Sequence, residues 1–279
     1  LRRRKRFDEK EEEVALELTE QRGAPSDPAA SLDDPIGDDV LRLMFLCCHP
    51  ILSREARVAL TLRLCGGLTT REIARAFLVP VPTLAQRIVR AKRALREAEA
   101  PFELPPAPEL SERLSSVLEV VYLVFNEGYA ASGGDEWVRP ALCRDAIRLG
   151  RILAGLAPEE AEVHGLVALM ELQASRLDAR TGPDGEAVLL EDQDRGRWDR
   201  LLIRRGLGAL DRAENLAGSP GRYTLQAKIA ACHVRPPSAE ETDWMRIVAL
   251  YGALARVEPS PVVALNQAVA VGRAFGPEQ

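Results

Sequence analysis

The sequence predicts an all-α protein, and three observations carry that expectation. Ala, Leu, Arg and Glu dominate while only 5% of the residues are aromatic, a composition that favours helices over a β-sandwich or barrel. Apolar residues recur at helical spacing along most of the chain, with no strand-like run of note. Clusters of Pro and Gly separate the helical stretches. At 279 residues, 46% hydrophobic and 28% charged, the chain has material for about two domains and is far from a disordered composition. No apolar run approaches a bilayer-spanning length. Leu1–Arg6 is basic but leads into acid, which is not a signal peptide. Five cysteines, at 47, 48, 65, 143 and 232, form no disulfide framework and fit a reducing, cytoplasmic setting.

The net charge of −5 argues, taken alone, against a nucleic-acid binder. Its distribution argues the reverse. Residues 1–50 carry a net −4 and residues 98–279 a net −8, whereas residues 51–97 hold ten basic side chains against three acidic ones, a net +7. A basic block between two acidic regions is the electrostatic footprint of a polyanion-binding module.

In chain order, Leu1–Arg6 has five basic residues out of six and precedes an acidic helical run, Asp8 to Glu20. Gly23–Asp39 holds three prolines, two glycines and five aspartates, a linker by composition. A helix follows over Val40–Cys48, which Asp38 could cap. Cys47-Cys48-His49, with Cys65, invites a zinc reading, but without a C-x-x-C pair small core cysteines are the better account and no metal is expected. Residues 53–64 form a helix that stacks Ala56, Leu60 and Leu64 and stops at Gly66-Gly67. Thr69 and Glu72 make a capping box that opens a short helix to about Phe77. Leu78–Pro82 is a turn, with Pro82 tolerated in the first turn of the next helix. From Thr83 that third helix buries Leu84, Ile88, Ala91 and Leu95 at spacings of 4, 3 and 4. Its other face presents Thr83, Gln86, Arg87, Arg90 and Arg93, with Lys92 and Arg96 towards its end. Arg and Gln suit bidentate reading of base edges, and the later cations suit phosphates. The alternative is a solvated arginine-rich face; the cap, the bounded turn and the two helix lengths favour a DNA-binding helix-turn-helix.

Leu68-Thr-Thr-Arg-Glu-Ile-Ala-Arg-Ala-Phe-Leu-Val-Pro80 and Thr83-Leu-Ala-Gln-Arg-Ile-Val-Arg-Ala-Lys-Arg-Ala-Leu-Arg96 resemble the C-terminal promoter-binding region of bacterial RNA polymerase sigma factors, most closely the extracytoplasmic-function class. The resemblance implies that Thr83, Gln86, Arg87 and Arg90 face the upstream (−35) promoter element, and that the domain docks on the flap of the polymerase β subunit. The sequence departs from the family at Val81, where a polar residue is usual. By the same resemblance, residues 1–22 are the end of the region that binds the downstream (−10) element, the rest of that region being absent. Residues 23–38 are then the linker that threads toward the polymerase cleft, with Asp33, Asp34, Asp38 and Asp39 as candidate nucleic-acid mimics. Residues 39–100 are the promoter-binding domain. The β′ clamp would be reached through the absent region.

Four prolines in Pro101–Pro108 mark a second linker, 101–110, before a helical region at 111–279. Helices are expected over about 111–131, 136–155, 159–177, 195–217, 222–234, 239–257 and 260–274, a solenoid or bundle. Val124-Phe-Asn-Glu-Gly-Tyr-Ala130 lines up with Ala264-Leu-Asn-Gln-Ala-Val-Ala270 at an offset near four times the 34-residue tetratricopeptide period. Tyr122–Tyr129, Leu190–Arg200 and Pro259–Asn266 together resemble the tetratricopeptide-like C-terminal extension of one subgroup of these sigma factors. Asn126, Glu127, Tyr129, Glu191, Asp192, Asp194, Arg195 and Arg200 could serve packing and capping, a protein or ligand groove, or catalysis, in falling order, with Asp192 or Asp194 capping the helix that holds Trp198. His164 and His233 read as structural. The expectation is therefore a non-enzymatic sigma factor without cofactor, binding promoter DNA and core RNA polymerase, with an extension that meets a regulatory protein or ligand. The alternative is a one-component helix-turn-helix regulator whose helical domain senses a ligand or peptide.

Overall fold

The computed structural model describes residues 35–105, 107–130, 138–182 and 185–276. The basic start, the acidic run and most of the first linker, with Asp33 and Asp34, lie outside these residues. Residues 37–279 form one compact unit, which contains the elements that follow apart from the first two residues of the first helix. Among the described residues the regular structure is helical. A head of four helices, α1 (Pro35–Cys47), α2 (Arg54–Leu64), α3 (Thr70–Ala76) and α4 (Val81–Glu97), precedes α5 (Ala107–Tyr129), α6 (Pro140–Leu156), α7 (Ala161–Ala174), α8 (Arg200–Leu216), α9 (Arg222–Val234), α10 (Trp244–Val257) and α11 (Pro261–Phe275).

Several boundaries move from the expected ones, each for a local reason. α1 starts at Pro35, so Asp38 lies within the helix and not ahead of its first turn. α5 starts at Ala107, inside the proline-rich segment, with Pro108 in the first turn where a missing N–H is harmless. α10 starts at Trp244, where the Asp243 carboxylate accepts from the Arg246 N–H at 2.9 Å. The expected 195–217 helix is broken at its front: 3-10 turns at Leu190–Asp192 and Arg195–Arg197 come first, and α8 begins only at Arg200. Asp194 caps the second turn through Gly196 N, and Asp199 caps α8 through Leu201 N and Leu202 N. Trp198 therefore lies between turn and helix, and neither Asp192 nor Asp194 caps the helix expected to hold it.

In the extension, α5 packs on α6, α6 on α7, α7 on α8 and α9, α9 on α10, and α10 on α11. α7 is the central post, buried on every side from Val163 to Leu172, as its nearly all-apolar sequence requires. Gly165 lets α9 reach it, since a Cβ there would fall 2.5 Å from Thr224 Oγ1. Glu162 fixes the same contact by accepting from Tyr223 N, Thr224 N and Thr224 Oγ1, a carboxylate at the positive end of α9. One continuous apolar core runs from Met44 and Phe45 of α1 through Val121 of α5 to Val234 of α9; a second, smaller core joins α9, α10 and α11. Head and extension thus share a core across the expected linker. No helix among the described residues is long and apolar enough to cross a membrane.

Candidate nucleic-acid interface

The head is built from short-range instructions. Ser53 caps α2 through Ala56 N at 3.3 Å. Gly67 takes φ +75°, the left-handed conformation that ends the helix and that glycine adopts without strain. Thr69 and Glu72 form the expected capping box: Glu72 N reaches Thr69 Oγ1 at 3.2 Å, and Thr69 N reaches Glu72 Oε2 at 2.7 Å. The turn into α4 closes through Val79 N to Ala74 O at 3.0 Å, with Leu78 at φ +50°. Pro82 occupies the first turn of α4. Leu84, Ile88 and Ala91 face the core, which aims the rest of the helix outward.

Thr83, Gln86, Arg90, Arg93 and Arg96 are exposed on α4, whereas Arg87 and Lys92 are half-buried on its flanks. Arg93 is held by Glu97 at 2.6 Å. Arg87, Arg90 and Arg96 make no hydrogen bond or ion pair with any described residue. Thr83, Gln86, Arg87 and Arg90 line a groove of about 380 Å³ against Ile51, Leu52 and Ser53 at the start of α2. These four, grouped on one face by the sequence, share this groove, and the sequence passes over Arg71 and Arg75. Both are exposed on α3 and make no such contact; their place in the same basic block was the available signal.

The opposite pattern holds where the head meets the extension. Arg113 of α5 donates to Phe45 O at 3.0 Å, near the end of α1. Arg148 of α6 donates to Cys65 O at 3.0 Å, past the end of α2. Arg139, just before α6, donates to Ala76 O at the end of α3. Three extension cations thus sit at the negative ends of three successive head helices. Arg57 of α2 returns a bond to Ser116 Oγ at 3.0 Å, and Arg54 pairs with Glu119 at 3.0 Å. Arg139 also pairs at 2.7 Å with Glu127, a carboxylate only 7% exposed.

Residues 42–95 match the sigma-70 region 4 family. The head is a sigma-factor-like DNA-binding domain. Residues 113–214 match a family of unknown function, DUF6596. An uncharacterized protein of Rhizobium meliloti (strain 1021) is 51% identical over 241 residues, which make up 86% of this chain and 57% of that relative. The chain therefore spans less than two thirds of the relative's length. No solved structure matches the chain.

Below the region 4 domain, most of the polar residues singled out in the extension have structural partners. Tyr129 Oη accepts from Arg176, and its ring lies under the Arg180 guanidinium at 3.5 Å. Glu191 pairs with Arg273 at 2.6 Å. Arg195 donates to the carbonyls of His233 and Pro236 and covers the Trp198 ring, and Arg200 donates to Arg195 O. Tyr122 Oη donates to Gln226 Oε1 at 2.9 Å, while Asn126 lines the junction. His164 Nε2 meets Pro158 O at 2.9 Å. Cys47 and Cys48 are buried, and burial pushes the Cys48 thiol up to about 12. Among the described residues no cluster of His, Cys, Asp or Glu is arranged to hold a metal ion.

Proposed function

We propose that this chain carries the promoter-reading part of an extracytoplasmic-function sigma factor, joined to a tetratricopeptide-like regulatory extension. The observation that carries the reading is the set of unpaired arginines on α4 of a region 4 domain: Arg87, Arg90 and Arg96 have no acceptor among the described residues. Gln86, Arg87 and Arg90, near the start of α4, meet base edges of the −35 element, with Thr83 beside them. Lys92, Arg93 and Arg96 meet phosphates, which supply affinity without sequence information. The protein acts in the cytoplasm, where the domain also docks on core RNA polymerase at the β flap.

Selection of duplexes from a random pool by the full chain tests the first half. The chain recovers one short element, Arg87→Ala relaxes it at one position, and Arg96→Ala weakens all sequences evenly. Equal losses on specific and random duplexes in both variants contradict the assignment. Capture of core RNA polymerase by the full-length protein tests the second half. A one-component regulator remains the second reading, favoured by the cleft between head and extension; such a regulator binds the duplex and leaves the polymerase behind.

A further inference from the structure

A cleft of about 310 Å³ opens at the junction, walled by Val58, Phe77 and Leu84 of the head and by Leu123 of α5. Most of its charged rim is already matched: Arg54 pairs with Glu119 at 3.0 Å, Glu127 with Arg139 at 2.7 Å, and the Glu55 carboxylate bonds Ser53 and its own backbone N–H. Arg87 is the exception. It is half-buried and lines the cleft; its charge helps to lower the Glu55 carboxyl, yet it makes no hydrogen bond or close ion pair with a described residue. An apolar chamber with one unmatched guanidinium on its rim suits a molecule of one kind, because the arginine fork fits a carboxylate and the walls fit hydrocarbon. The volume stands at the lower end of small-molecule sites.

We propose that this cleft binds a small amphipathic anion, with an apolar body and a single carboxylate head on Arg87, and that its occupation withdraws Arg87 from DNA. Arg87 lines both this cleft and the groove on the reading face. One guanidinium cannot hold a carboxylate and a base edge together, so ligand and DNA oppose each other reciprocally. The second half of the proposal rests on the reading of α4 given above; the first half does not.

The full chain is titrated with decanoate, read by displacement of anilinonaphthalene sulfonate fluorescence, with decanol as the uncharged control. Decanoate displaces the dye at a concentration about tenfold or more below that needed for decanol. Arg87→Ala weakens decanoate about tenfold or more, the worth of one charge-assisted bond. Leu123→Trp plugs the cleft and abolishes binding; Leu123→Phe, a smaller plug, repeats the test if Trp lowers the melting midpoint. On a labelled duplex, saturating decanoate weakens the wild-type chain as much as Arg87→Ala does and leaves that variant's residual affinity unchanged. Equal displacement by decanol, binding that survives both plugs, or wild-type duplex affinity untouched by saturating decanoate overturns the proposal. Loss of decanoate binding as protein concentration rises puts a second copy of the chain in the cleft and overturns it too. If the chain binds no duplex at all, the reading of α4 fails while the dye titration still decides the cleft.

Discussion

At the junction between head and extension, Arg54, Arg57, Arg113, Arg139 and Arg148 each end on an oxygen of the other side. On α3 and α4, Arg71, Arg75, Arg87, Arg90 and Arg96 end on none among the described residues. The same side chain is used in two ways within one half of the molecule. Where its five donors are met by carbonyls and carboxylates, arginine is mortar, and its removal strands a buried acceptor. Where they are unmet, the charge is available to a polyanion. The difference teaches that the +7 block has to be divided by partner before it is read as a DNA-binding surface, since Arg54, Arg57 and Arg63 belong to the structural class.

Changes on the structural side have the larger effect on stability. Arg139→Ala removes the ion pair with the buried Glu127 carboxylate and the bond to Ala76 O and costs about 3–5 kcal/mol, read as a lowered urea midpoint; a loss near zero would dissolve the distinction between the two classes. His233 supplies a pH signature within the extension. Burial first, then the charges of Arg176 and Arg195, press its pKa down to about 4. The unfolded chain therefore takes up this proton first as the pH falls from 6.5 towards 4, and the folded state loses up to about 3 kcal/mol over that window. Asp145 and Glu171, raised by burial, act in the opposite sense. His233→Phe keeps an aromatic ring beside Trp244 and flattens the dependence; an unchanged profile sinks the assignment.

On the reading side the order reverses. Arg87→Ala shifts stability by no more than about 0.5 kcal/mol yet lowers affinity for the selected duplex about tenfold, a loss of about 1.4 kcal/mol. Thr69→Ala has the smallest effect: losing the capping box costs about 1 kcal/mol, and hydrogen exchange in α3 quickens while α7 is untouched. Quickened exchange throughout α7 contradicts that locality.

Local chemistry was legible in the sequence, and long-range chemistry was not. Thr69 and Glu72 announce α3 because both halves of the capping box lie within four residues. The buried stripe of α4 is as plain, and it fixes which residues turn outward. The same stripe already places Arg87 one turn from both Leu84 and Ala91, so its half-buried flank position was readable from spacing. Asp192, Asp194 and Asp199 are three rival caps within eight residues, and only folding decides that Asp194 takes the turn and Asp199 the helix. The cations on the ends of α1, α2 and α3 come from 63 to 83 residues away, beyond any local pattern. A proline-rich segment reads as a flexible connection, yet the core passes beneath it.

The salt dependence of duplex binding by the full chain tests the division of arginines most directly. Each reading-face arginine that meets a phosphate contributes about 0.9 to the slope of log affinity against log salt. Arg96→Ala is therefore predicted to lower that slope by about one unit, while Arg148→Ala, at the junction, leaves it unchanged. Equal slopes for wild type and Arg96→Ala, or a slope lowered by Arg148→Ala at full folding, would contradict the account.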